Sequence, residues 1–206
     1  MKYMSAVILG VLVFTGVSLA QVGITIGVNV FNFKGASVFK FNPRTAASGG
    51  LYWDMPGDGF SFMPEILYSQ KGATFSTSIL ESGVKIPVDA TMRYDYIEIP
   101  LLAKYTLTTN SSFRPFLIAG PYLGILVSSA LFESGTVTAG EDPITVLSDI
   151  TGQQRIDYGL TFGGGARFDI GTNSFNVNIR YSIGEVAADK GELKNTGISI
   201  MAGFLF

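Results

Sequence analysis

The residues of this 206-residue chain that could carry out acid–base chemistry are carboxylates, lysines and hydroxyls, because the sequence contains no His and no Cys. Glu65 and Glu98 fall on one face of adjacent predicted strands and could form a carboxylate pair for general acid–base catalysis. We favour a structural role, in which each pairs with a Lys or Arg, since a buried unpaired charge is strongly unfavourable. Without His or Cys, the usual catalytic triads, thiolate nucleophiles and zinc ligands are also missing.

Two further groups of residues could bind a phosphate or a cation, and neither has the required pattern. Gly163-Gly164-Gly165 is glycine-rich like a phosphate-binding loop, but no helix start and no Lys-Ser/Thr pair follows it. The acidic residues of two predicted loops lack the spacing of a calcium-binding loop; they are Glu141, Asp142, Asp149, Glu185, Asp189 and Glu192. The sequence therefore predicts a protein that is not an enzyme and that holds no metal or cofactor.

The elements that would position these residues are β-strands, because apolar residues recur at every second position. The clearest example is the set Phe175, Val177, Ile179, Tyr181 and Ile183, whose members share one face while polar residues occupy the other. Eight such strands are predicted, near residues 22–31, 46–55, 60–71, 94–105, 113–126, 156–170, 174–183 and 195–206.

The connections between these strands alternate between short and long. Short turns rich in Gly, Asn, Asp and Pro follow the second, fourth and sixth strands, whereas longer loops are predicted at residues 32–45, 72–93, 127–155 and 184–194. An even number of strands of about ten residues, with short turns on one side and long loops on the other, is typical of membrane barrels. The sequence predicts an all-β protein, an eight-stranded antiparallel up-and-down transmembrane β-barrel.

The composition favours such a barrel over a helical membrane protein. Apolar residues make up 47% of the chain and charged residues only 15%, yet no stretch beyond the N-terminus has the ~18 consecutive apolar residues of a transmembrane helix. The formal net charge of −2 offers no basic surface for nucleic acid.

The N-terminus has the features of a secretory signal peptide. Lys2 supplies the positive charge, an apolar segment follows, and Ser18-Leu19-Ala20 places small residues at the positions that determine cleavage. We predict cleavage between Ala20 and Gln21, which divides the chain into a signal peptide, residues 1–20, and an outer-membrane barrel domain, residues 21–206. A buried N-terminal helix or an anchor is the alternative.

Charged residues within the predicted strands fall on the face opposite the apolar one. If the apolar face meets lipid, these charges line the lumen, which in an eight-stranded barrel is narrow enough to be filled by side chains. Five are basic and four are acidic, so that most can pair. The predicted lumen charge network consists of Glu65, Lys71, Glu98, Lys104, Arg114, Asp157, Arg167, Asp169 and Arg180. In a soluble barrel the same charges would instead cover the water-exposed outer face.

Several runs resemble the strand signatures of the PorT-like, porin-family outer-membrane β-barrel domains. The most specific is Tyr96-Ile97-Glu98-Ile99-Pro100-Leu101-Leu102-Ala103-Lys104-Tyr105, which resembles the fourth strand. Others resemble the third, fifth, sixth and seventh strands: Pro64-Glu65 with Tyr68-Ser69 and Lys71-Gly72, Pro115-Phe116 with Gly120-Pro121-Tyr122, Asp157-Tyr158-Gly159, and Arg180-Tyr181. The resemblance implies an eight-stranded barrel in the outer membrane of a Gram-negative cell, without implying an open pore.

The C-terminus and the loops indicate the partners of such a barrel. Outer-membrane barrels commonly end in an aromatic residue that the barrel-assembly machinery recognises, and Phe204 and Phe206 resemble this signal. The strands would contact outer-membrane lipid, and the four long loops would face outside and contact a partner that the sequence does not identify. We expect a monomer that binds no nucleic acid.

The sequence favours a non-enzymatic barrel with a charge-paired, plugged lumen, which serves envelope structure or surface interaction through its loops. One alternative is a narrow transport pore or a secretion-accessory barrel, which conductance across a planar bilayer would distinguish. A second alternative is a soluble periplasmic barrel that binds an apolar ligand.

Overall fold

Nine β-strands make up most of the part of the chain that the computed structural model describes, namely residues 21–35, 41–55, 59–81, 84–107, 109, 111–135, 144–148, 156–185 and 193–206. They are β1 (Gln21–Gly35), β2 (Asn42–Asp54), β3 (Phe60–Glu81), β4 (Val84–Thr106), β5 (Phe113–Gly135), β6 (Ile144–Ser148), β7 (Ile156–Ile170), β8 (Asn173–Glu185) and β9 (Leu193–Leu205). The predicted signal peptide, residues 1–20, lies outside the described residues. Among those residues, no helix is long and apolar enough to cross a membrane.

Eight of these strands close into an antiparallel barrel. Their order around the ring is β4-β3-β2-β1-β9-β8-β7-β5, and the pairing of β5 with β4 closes it. β1 and β9 join in a ladder that runs from Gly23 opposite Leu205 to Gly35 opposite Leu193. Closure leaves the ring of these eight strands without an open edge, whose unpaired backbone groups lipid could not satisfy. The predicted eight-stranded up-and-down β-barrel is confirmed.

The strands run further on the side of the long connections than the sequence predicts. β3 and β4 stay paired out to Glu81 opposite Val84, so most of the predicted loop 72–93 is a β-hairpin and the loop prediction is wrong there. β5 continues to Gly135 and pairs with β6, an additional strand inside the predicted loop 127–155. The apolar alternation marks only the part of a strand that meets lipid, whereas backbone hydrogen bonds continue the ladder beyond it.

Side chains alternate between an apolar outer surface and a polar lumen. On β1 the exposed residues are Val22, Ile24, Ile26, Val28 and Val30, whereas Thr25 and Asn29 between them are buried inside. A soluble barrel has the reverse arrangement, because its outer face meets water. The apolar outer band ends after Val30 on β1, after Tyr68 on β3 and at Ile97 on β4.

Two apolar clusters fill the lumen at different heights. The cluster nearer the short turns consists of Tyr52, Met63, Leu102, Phe116, Ile118 and Leu205. The cluster nearer the long connections consists of Phe33, Ala73, Tyr94 and Tyr96. Charged residues lie between the two clusters and below the first one, so the lumen is a layered interior packed with side chains, as the width of an eight-stranded barrel allows.

Aromatic pairs and a tight turn mark the end of the barrel that carries the short turns. On the outer face the ring centroids of Phe60 and Tyr105 are 4.6 Å apart, and those of Phe113 and Phe168 are 5.3 Å apart. Rings at this position form an interfacial girdle of the kind that outer-membrane barrels carry. The turn from β7 to β8 uses Gly171, whose φ of 64° favours glycine.

Candidate functional site in the barrel lumen

Lys71 lies at the middle of the lumen and is paired with two carboxylates. Its Nζ is 2.9 Å from Asp157 Oδ2 and also forms an ion pair with Glu98 Oε1. The Tyr122 hydroxyl accepts a hydrogen bond from Lys71 Nζ at 3.4 Å and donates one to Asp157 Oδ1 at 3.3 Å. Lys71 and Asp157 are each only 1% exposed. This cluster is therefore held together without help from bulk water.

Aromatic rings surround the Lys71 ammonium. Its nitrogen lies 4.4 Å from the ring centroid of Tyr122, 5.0 Å from that of Phe31 and 5.3 Å from that of Tyr96. Attraction to the ring faces partly offsets the loss of hydration that a buried ammonium suffers. Because the rings come from β1, β4 and β5, they also narrow the lumen from several sides at this height.

A second buried ion pair joins Glu65 on β3 to Arg180 on β8. Arg180 Nη1 donates to Glu65 Oε2 at 2.5 Å and Nη2 donates to Oε1 at 2.9 Å, while Nε donates to Asn178 Oδ1 at 2.6 Å. This bidentate geometry is the strongest form of an arginine–carboxylate pair. Glu65 and Glu98 therefore do not act together as a carboxylate pair, since each is bound by a different cation.

A third group of charges lies at the end of the lumen with the short turns. Lys104 pairs with Asp54 Oδ2, and Arg167 Nη1 lies 3.4 Å from the same oxygen. The two oxygens of Asp169 are held by Arg167 Nε at 2.7 Å and by Arg114 Nε at 2.8 Å. Lys104 and Asp54 are buried, whereas the side chain of Arg114 is 50% exposed. This group forms the rim of the lumen.

Asp54 is the member of these pairs that the sequence analysis missed. The nine predicted lumen residues all lie on inward-facing positions of their strands, and each takes part in one of the ion pairs above. Asp54 adds a fifth carboxylate to the five basic residues, so the charges balance. Alternation along β2 could have found it, because Tyr52 and Asp54 face inward while Leu51 faces lipid.

The glycine triplet of β7 allows close packing of strands. A Cβ on Gly163 would collide with the carbonyl oxygen of Ile179, and one on Gly165 with that of Val177. Both carbonyls belong to β8, so glycine is needed where β7 and β8 approach each other.

At the middle of the lumen, the charged side chains engage one another rather than a ligand. A cavity of only about 20 Å³ remains beside Glu98 and Arg180, which is room for a single water. Within the described ranges, no three carboxylates lie close enough together to hold a metal ion. The chemical effect of the central charges is to fill and stabilise the barrel.

An ion pair that the sequence analysis did not single out lies on the outer wall, beyond the apolar band. Arg93 donates from Nε to Asp95 Oδ1 at 2.9 Å and from Nη2 to Oδ2 at 2.6 Å. Burial alone would raise the pKa of the Asp95 carboxyl, but hydrogen bonds from Arg93 and Tyr68 outweigh burial and lower the pKa below its ordinary value. The hydrogen bond to Asp95 likewise raises the pKa of Arg93. The pair reinforces β4 where it leaves the membrane.

The closed ring, the apolar outer face and the charged lumen define a small outer-membrane β-barrel, and comparison with protein families agrees. Residues 16–184 match the family model described as outer membrane protein beta-barrel domain. The chain belongs to this family, which confirms the outer-membrane barrel resemblance seen in the sequence. The description covers outer-membrane barrels in general, so membership of the PorT-like branch stays a prediction. Membership of this family and the apolar outer face of the barrel together argue against the soluble periplasmic alternative.

Solved outer-membrane barrels match this chain at low sequence identity. The attachment invasion locus protein Ail of Yersinia pestis is 15% identical, with a TM-score of 0.44 over 91% of this chain and 99% of its own. Neisserial surface protein A is 13% identical, with a TM-score of 0.48 over the same shares. OprG of Pseudomonas aeruginosa is 15% identical, with a TM-score of 0.44 over 91% of this chain and 96% of its own. A comparison with curated proteins finds no significant match.

Proposed function

We propose that this protein is a closed outer-membrane barrel that conducts no solute and acts through the surface it presents outside the cell. The observation that carries this proposal is the plug at mid-height, where Lys71 is packed against Glu98, Asp157 and Tyr122. Apolar clusters lie above and below it. A solute would have to displace all three layers to pass.

Opening the lumen would separate charges that are shielded from water. Breaking a buried ion pair so that one partner is left alone costs about 3–5 kcal/mol, and a path through the plug would disturb both the Lys71 cluster and the Glu65–Arg180 pair. A stable plug is therefore the resting state of this barrel. The proposal includes no catalytic activity, since the lumen carboxylates are engaged by Lys and Arg.

The part of the barrel that projects beyond the lipid supports a role in surface contact. The stretch of β4 from Val84 to Ile97 is about 40 Å long at ~3.3 Å per residue, and it stays paired with β3 throughout. Ser76 Oγ donates to Asp89 Oδ1 across this hairpin at 2.7 Å. A continuously paired hairpin of this length suits contact with a partner at the cell surface or with the envelope itself.

Export and assembly belong to the same proposal. Cleavage after Ala20 would leave Gln21 at the start of β1. At the other end of the chain, the amide of Phe206 donates to the carbonyl of Val22 at 3.0 Å, and the rings of Phe204 and Phe206 lie 5.2 Å apart. An aromatic pair on the strand that closes onto β1 supports recognition by the barrel-assembly machinery. We expect the assembled barrel to be a monomer in outer-membrane lipid.

The test is conductance of the purified, refolded barrel in a planar lipid bilayer. Gel mobility with and without boiling first identifies the folded fraction, because a closed barrel migrates differently once it is unfolded. The proposal predicts no regular conductance steps from that fraction, while a general porin in the same bilayers serves as the positive control. Uniform single-channel steps from the folded fraction would contradict the closed barrel and favour the transport alternative.

A further inference from the structure

The lumen opens into a cavity of about 310 Å³ at the end with the short turns, the end that faces the periplasm in outer-membrane barrels. We propose that this cavity binds a small tetrahedral oxyanion such as phosphate or sulfate. Its polar lining includes Asp54, Ser61, Lys104, Arg114 and Arg167. The apolar cluster around Tyr52 and Met63 separates it from the central plug. It is therefore closed on its inner side, and its charged lining residues are different from those of the central plug.

The charge of this compartment favours an anion. Three basic residues, Lys104, Arg114 and Arg167, face two carboxylates, Asp54 and Asp169, so one positive charge is in excess. The central layer has the opposite imbalance, because Lys71 is shared by two carboxylates, and an apolar cluster keeps the two layers apart. Cleavage at the predicted site would add the α-ammonium of Gln21, which also lines the cavity.

The arginines leave donors available for a ligand. Arg114 and Arg167 both reach Asp169 through Nε, which is one of the five N–H donors of each guanidinium. Arg167 further contacts Asp54 from Nη1, at the long distance of 3.4 Å. Arg114 is half-exposed at the rim, so an incoming anion can reach it. The planar guanidinium is the group that suits phosphate oxygens best.

The experiment is calorimetric titration of the refolded mature chain in detergent with sodium phosphate and, separately, with sodium sulfate at constant ionic strength. We expect saturable binding of one anion per barrel, with similar affinities for phosphate and sulfate, because the guanidinium donors contact the anionic oxygens that both ions share. Absence of saturable binding of either anion at millimolar concentration would overturn the proposal.

Variants distinguish this site from general attraction of anions. Arg114→Gln removes an exposed guanidinium without leaving Asp169 unpaired, because Arg167 Nε still contacts it at 2.7 Å, and we expect it to weaken phosphate binding about tenfold or more. Arg93→Gln, on the outer wall beyond the opposite end of the membrane band, serves as the matched control and should not change the affinity for phosphate. Unchanged phosphate affinity in Arg114→Gln would place binding elsewhere and overturn the proposal.

Discussion

Glu65 and Arg180 form a bidentate ion pair across the barrel, although they are 115 positions apart in the chain. The pair joins β3 to β8, which are not hydrogen-bonded neighbours in the ring. Both residues are almost completely buried. The interaction therefore fixes the barrel across its diameter, in addition to the ladders that fix it around its circumference.

Removing one partner of this pair should destabilise the barrel strongly. In Glu65→Ala the Arg180 guanidinium would stay buried with only the Asn178 side chain as an acceptor, so we expect the free energy of unfolding to fall by about 3–5 kcal/mol. Urea unfolding in detergent, followed by the fluorescence of Trp53, the single Trp of the chain, measures the loss. The double variant Glu65→Ala/Arg180→Met should recover part of it. A double variant no more stable than Glu65→Ala would contradict this account.

The Lys71 cluster should respond differently to loss of a carboxylate and loss of the amine. Glu98→Gln leaves Lys71 paired with Asp157 at 2.9 Å, so we expect the free energy of unfolding to change by no more than about 1–2 kcal/mol. Lys71→Met leaves two buried carboxylates without a cation, and we expect a loss of about 3–5 kcal/mol. The same urea titrations compare the two variants. Equal losses would show that Asp157 alone does not neutralise Lys71.

The ion pair on the outer wall should make stability depend on pH. The pKa of Asp95 is lower in the folded protein than its ordinary value, so the unfolded chain binds the proton more readily and stability rises with pH through this range. The contribution is complete above the ordinary carboxyl pKa of about 3.9 and is lost as the pH falls through the lower folded value. The difference in stability between the natural protein and Asp95→Asn should thus shrink below about pH 4. A difference that stays constant from pH 7 to pH 3 would exclude this linkage.

The C-terminal aromatic should matter for assembly more than for stability. The Phe206 side chain is 59% exposed on the outer face, so its removal leaves no cavity, and we expect deletion of Phe206 to change the unfolding free energy of the refolded barrel by less than about 1 kcal/mol. In cells, the same deletion should lower the amount of barrel in washed outer membranes. Replacement of Phe206 by Tyr should leave most of the barrel in the washed outer membranes. Normal assembly of the deletion variant would show that the machinery reads another feature.

The sequence by itself was sufficient to predict the number of membrane strands, their antiparallel order and the side of each strand that faces lipid. Each of these depends on a local pattern, since lipid on one side of a strand forces apolar residues to every second position. That is why the alternation on β1 and the inward position of the lumen charges could be read from residues a few positions apart. The same dependence explains the error at residues 72–93, where the strands continue beyond the lipid and the alternation no longer marks them.

Only the tertiary structure decided which charges pair. Alternation places Glu65, Glu98 and Lys71 in the lumen, but it does not say that Arg180 reaches Glu65 or that Lys71 is shared by Glu98 and Asp157. Those choices depend on the stagger of the strands around the closed ring, which sets the height of each residue relative to strands on the far side. The cavity at the short-turn end has the same origin, because residues of β1, β2, β3, β4, β5 and β7 meet there only after β1 has paired with β9 and β4 with β5.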